Sequence, residues 1–140
     1  MNLMRSTNSE TAPLIRQGWI WLALWIAFGI LIEGLIGFRT PALLDDPVRR
    51  DMFRLAHTHG TLLNLVMIAA AICDRLELVR FGRVTSFGLR LAVVLLPMGF
   101  LFGGLWHFKD DPGIGIFLVP VGALLLLVTA LYLAFSAPRQ

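Results

Sequence analysis

The chain has 140 residues, of which 57% are hydrophobic and only 15% charged, with a formal net charge of +3. Its apolar runs are about 20 residues long, enough to cross ~30 Å of hydrocarbon at ~1.5 Å per residue, so the composition describes an integral membrane protein and excludes a soluble domain. The basic balance comes from arginines at the ends of those runs, which anchor in headgroups and imply no nucleic-acid surface, and the lone Cys73 excludes an internal disulfide and a CxxC motif.

The opening MNLMRSTNSETA is polar and aperiodic, and residues 1–14 are expected to form a mobile tail. A first span follows over Trp19 to Phe38 and carries Glu33. No small-residue cleavage pattern follows it, so it reads as a retained span rather than a signal peptide. In the connector TPALLDDPVRRDMF, Asp46 before Pro47 has the chemistry of an N-cap and a first-turn proline. The second helix is therefore predicted to start there, about two turns before its apolar stretch at Met52 to Cys73. The third and fourth runs are Phe87 to Phe108 and Ile114 to Phe135. Together these predict an all-α, antiparallel four-helix membrane bundle occupying residues 15–140 as one domain.

Arg5, Arg16, Arg75, Arg80, Arg83, Arg90 and Arg139 fall on one side of such a bundle, and Arg39, Arg49, Arg50, Arg54 and Lys109 on the other. The slight excess on the first side places both termini in the cytoplasm of a bacterial-type inner membrane.

Ionisable groups inside spans are costly and point to function. On the second helix Arg50, Arg54, His57, Thr61 and Asn64 form one stripe at helical spacing, while His59 lies about 200° around from His57. Lipid satisfies none of these groups, so the stripe is expected to face other helices or a wet cavity. HTH is a poor chelating pair on a regular helix, where ligands to one ion sit three or four apart. Depth supplies the stronger signal. Counted from the flanking charges, Glu33 lies about 9 Å deep, His57 about 4.5 Å, His59 about 7.5 Å and His107 about 3 Å, all at one end of the bundle.

Glu33, His57, His59 and His107 are accordingly the candidate metal ligands, and the three histidines the candidate cofactor ligands. Imidazoles with a carboxylate suit zinc, copper or iron. Haem b is the other candidate, held by His57 or His59 together with His107, with arginines meeting its propionates. A third reading is a quinol or proton site in which His and Glu exchange protons. Gly29 and Gly37 share a face with Glu33, and Gly99 and Gly103 share one with His107; such small-residue seams serve helix packing or leave room for a flat cofactor. Each polar group also has a plainer role: Glu33 pairing with Arg39 or Arg54, His107 as an interfacial aromatic, and Thr61 and Asn64 as interhelical hydrogen-bond partners.

The run LAHTHGTLLNLVMI, after a helix with a late glutamate and an arginine shortly beyond it, resembles uncharacterised small four-span bacterial membrane proteins with His-x-His early in span two. The resemblance rests on Glu33, Arg39, His57, His59, Gly60 and His107 and implies a fold without an activity. A more distant similarity is to the His-Gly helices of haem-copper oxidase and nitric oxide reductase subunits, from which the chain departs in having four spans rather than twelve and too few histidines. The expected function is a transition-metal or haem-binding membrane protein in a redox or related role, with the Glu/His site near the outer face. The competing expectation is a non-catalytic accessory or structural subunit. The bilayer is the expected partner, with further membrane subunits or a homo-oligomer beside it.

Overall fold

A computed structural model of the chain describes the backbone of residues 3–79 and 81–136 and the side chains of 11–79 and 81–135. Among the orienting charges, Arg80 and Arg139 lie outside the described residues. The fold is all-α. Helix α1 runs from Leu3 to Gly37, a short α2 from Pro41 to Leu44, α3 from Pro47 to Arg75, and α4 from Arg83 to Leu105. A 3₁₀ turn at Ile114–Phe117 then leads into α5, Leu118–Ser136. Four segments, Thr11–Gly37, Pro47–Arg75, Arg83–Leu105 and Ile114–Phe135, are long and apolar enough to cross a membrane.

The start of α3 follows from local chemistry. Asp46 accepts a hydrogen bond from the Arg49 amide at 2.9 Å, satisfying one of the donors a helix N-terminus leaves open, and Pro47 occupies the first turn, where its missing N–H costs nothing. Residues 3–14, within the stretch expected to form a polar tail, have helical backbone that continues into α1. At the end of that stretch Leu14 is fully buried in the core, and the Arg75 guanidinium reaches the Thr11 hydroxyl at 3.4 Å.

The long helices form an open-sided bundle. α1 packs on α3, α3 on α4 and α4 on α5, while α1 touches α4 only slightly and, among the described residues, does not pack on α5. The core lies along α3 and α4, where Leu14, Leu63, Met67, Ala71, Leu89, Val93 and Leu96 cluster. α5 turns Leu124, Leu127, Val128 and Leu131 outward, as a helix bathed in lipid does.

Glycines set how closely these helices approach. A side chain at Gly99 would meet the backbone of Val119, and one at Gly122 would meet the backbone of Leu96, so α4 and α5 touch main chain to main chain. The Gly99 and Gly103 seam is thus filled by α5 and the 3₁₀ turn, without space for a flat cofactor. On α1 and α3 the exchange is reciprocal. Gly29 receives the His57 ring and Gly60 receives the Trp25 indole.

Candidate functional site

The α1–α2–α3 and α4–α5 connections lie at one end of the molecule, the connector end; the start of α1, the end of α3, the start of α4 and the end of α5 lie at the other, the terminal end. At the connector end, α1 and α3 form a half-open cavity of about 530 Å³ lined by Ile26, Gly29, Ile30, Ile32, Glu33, Arg54, His57 and Thr58, of which Ile26, Ile30, Glu33, Arg54 and Thr58 are exposed. That volume lies within the ~300–1,000 Å³ of small-molecule sites. Two sequence candidates, Glu33 and His57, share this wall with Arg54 and a floor of aliphatic side chains.

His57 is fixed in one tautomer. Its Nδ1 lies 2.8 Å from the carbonyl oxygen of Trp25, so Nδ1 carries the proton and donates it. The lone pair then belongs to Nε2, which has no hydrogen-bond partner among the described residues. A carbonyl that holds one ring nitrogen while the other stays open is the arrangement that orients ligating histidines. The ring lies against the bare Cα of Gly29, where any larger residue would overlap it. Neither Glu33 nor Arg54 is joined to a described residue by an ion pair or hydrogen bond. The expected pairing of Glu33 with Arg39 or Arg54 is therefore absent among the described residues, and the cavity offers a carboxylate, a guanidinium and an imidazole acceptor at once.

His59 belongs to another face. Its Nδ1 donates to the Leu55 carbonyl one turn earlier at 2.8 Å, and its ring lies 4.9 Å from that of Phe100 on α4. The near-opposed directions of His57 and His59 follow from the helical period, which sends one toward α1 and the other toward α4.

His107, just past the end of α4, has both ring nitrogens engaged. Nε2 lies 2.8 Å from Asp46 Oδ2 and Nδ1 lies 3.0 Å from the Lys109 carbonyl. Both partners are acceptors, so the ring is committed to the start of α3 and to its own loop rather than to the α1–α3 cavity. Burial pushes the Asp46 carboxyl upward, but the Arg49 amide, the His107 N–H and the charges of His107 and Arg49 outweigh it and hold the group below its usual range. Asp46 thus caps α3, meets Arg49 at 3.4 Å and tethers the loop after α4.

Among the described residues, no three His, Cys, Asp or Glu side chains gather closely enough to hold a metal ion. The expected four-residue group is divided. Glu33 and His57 share the α1–α3 cavity, His59 packs on α4, and His107 is committed to Asp46. Position along a helix places these four at one end of the bundle; it does not fix the direction in which each side chain points. Two contributors escaped the sequence reading. The Trp25 carbonyl is invisible there because any residue supplies one, and Asp46 was recognised as a cap without its second role. Comparison of the chain with protein-family models, curated proteins and solved structures finds no match.

Proposed function

We propose that the protein is a multi-pass membrane protein that binds a redox-active cofactor, haem b or a transition metal ion, in the α1–α3 cavity with His57 as its protein ligand. One observation carries this reading: the His57–Trp25 hydrogen bond leaves Nε2 as an open lone pair on a cavity wall that also holds Glu33 and Arg54. The donor set fits haem better than a closed metal site. A single imidazole above an apolar slot, with a guanidinium for a propionate, suffices for haem, whereas a transition ion bound by protein alone usually takes three or four ligands. When bound, such a group would supply one-electron chemistry. The protein's own part is to hold the imidazole tautomer, line the cavity with the aliphatic side chains of Ile26, Ile30 and Ile32, and present Glu33 as a proton acceptor. In the proposed orientation both termini are cytoplasmic in a bacterial-type inner membrane and the cavity opens toward the outer face.

Purified protein supplemented with haem b or with zinc, copper or iron tests the reading. A Soret band or near-stoichiometric metal that is lost in His57→Ala and kept in His59→Ala and His107→Ala supports it. Neither signal, or a signal indifferent to His57→Ala, removes it.

The open arrangement of the helices favours a second reading, an accessory subunit whose α1 and α5 edges meet other subunits or a second copy. That reading expects the purified chain to be stable only with partners.

A further inference from the structure

Beyond the cavity, buried polar atoms continue inward along α3. Asn64 is fully buried; its Nδ2 donates to the Gly60 carbonyl at 2.7 Å, but its Oδ1 has no partner. Thr61 Oγ1 and Trp25 Nε1 are likewise buried without partners. Trp25 and Asn64 meet at Gly60. The Trp25 indole lies on Gly60, the residue whose carbonyl Asn64 holds, and the Trp25 carbonyl receives the His57 proton at the cavity wall. Trp25 and Asn64 thus adjoin the Glu33–Arg54–His57 cavity through Gly60 and the His57–Trp25 hydrogen bond, and Thr61 lies on the same stripe of α3 as His57 and Asn64. At ~1.5 Å per residue Asn64 is about 10 Å deeper than His57, near the middle of the Pro47–Arg75 span.

A buried amide oxygen, hydroxyl and indole N–H left without partners each cost free energy, and groups so placed are ordinarily satisfied by water. Here the α1–α3 seam offers a donor, an acceptor and a hydroxyl that is both. Past Asn64 the character changes. Leu14, Met67 and Ala71 show no exposure, Val93 1% and Ile68 6%, a dry apolar layer before the polar groups of the terminal end, Asp74, Ser86 and Arg90. Apolar constrictions of this kind stop water and ions by dewetting.

We propose that the α1–α3 seam is a one-sided inlet that brings water, and with it protons, from the cavity mouth at Glu33 and His57 to Asn64 at mid-span, closed on the far side by Leu14, Met67, Ala71 and Val93. The inlet goes beyond cofactor binding and does not depend on it, since Trp25, Thr61 and Asn64 would need water whether or not His57 ligates anything.

The test uses full-length protein in sealed vesicles. Cys73, the chain's one thiol, is first replaced by Ser, and single cysteines are then placed by Thr61→Cys, Asn64→Cys, Met67→Cys and Ala71→Cys. A charged, membrane-impermeant methanethiosulfonate is added from each side in turn. Thr61→Cys and Asn64→Cys should react at least about tenfold faster than Met67→Cys and Ala71→Cys, and only from the side where a Glu33→Cys control reacts, because a charged reagent avoids dry hydrocarbon. Thr61→Cys hardly changes side-chain size, so it keeps the test meaningful if Asn64→Cys misfolds. Equal, slow reaction at Thr61→Cys and Ala71→Cys overturns the inlet. Vesicles of wild-type protein loaded with a pH-sensitive dye should hold a proton gradient as well as protein-free ones; a leak overturns the one-sided closure. Loss of the Soret band in His57→Ala with unchanged Thr61→Cys labelling would separate the inlet from the cofactor.

Discussion

The imidazole Nε2 of His107 lies 2.8 Å from Oδ2 of Asp46, joining the loop after α4 to the first turn of α3 across 61 residues of sequence. Because Asp46 also accepts from the Arg49 amide, one carboxylate ends a helix and anchors a loop. His107→Ala should therefore lower stability by about 1.5–3 kcal/mol, the scale of a hydrogen bond to a charged group. The loss should be local. Hydrogen exchange should rise over residues 106–113, while any spectral signature of a group at His57 stays unchanged. A lost signature would restore His107 to the ligand set.

The depressed Asp46 carboxyl fixes the sign of a pH effect. A carboxyl whose folded value lies below its unfolded one, about 3.9, contributes its stability fully above the unfolded value and loses it as pH falls through the folded one. Loop exchange over 106–113 should accordingly be slow at neutral pH and accelerate below about pH 4. Asp46→Asn should flatten that acid limb. An acid limb of undiminished size in Asp46→Asn would assign it to another group.

Gly29 is the position at which packing and chemistry meet. A larger residue there overlaps the His57 ring, so Gly29→Val must either displace the imidazole from the Trp25 carbonyl or separate α1 from α3. Overpacking of this kind costs about 1–3 kcal/mol. The variant should melt at lower temperature and lose any signal that depends on His57, whereas Gly37→Ala, with open space around it, should change neither. Retention of both the melting temperature and the signal in Gly29→Val would contradict the contact.

The features legible in the sequence were those set by local or periodic rules. Four apolar runs gave four long helices, Asp46 and Pro47 gave the start of α3, and the 3.6-residue period correctly separated His57 from His59. Partner choice across helices was not legible. Azimuth depends on how α1, α3 and α4 rotate against one another, and that rotation is set by close contacts such as Gly29 on His57 and Gly60 on Trp25. Hence His107 and Glu33 lie at the same end of the bundle without sharing a site. The contacts of Thr11 and Leu14 are illegible for a related reason: Arg75 and the core that receive them lie far away in the chain.

Glu33 tests the difference between level and contact most directly. Its position near Arg39 and Arg54 suggests an ion pair, yet it stands exposed and unpaired among the described residues. A true pair would show a coupling energy in a double-mutant cycle of Glu33→Gln with Arg54→Gln; residues that share a cavity without touching should show less than about 0.5 kcal/mol. Glu33→Gln alone should hold or raise the melting temperature, because it removes from a span an ionisable group that has no partner among the described residues. If Glu33 instead accepts protons for chemistry at His57, the same variant should alter the pH dependence of the bound group's midpoint potential while leaving its optical spectrum intact. A coupling above about 1 kcal/mol would return Glu33 to a structural ion pair.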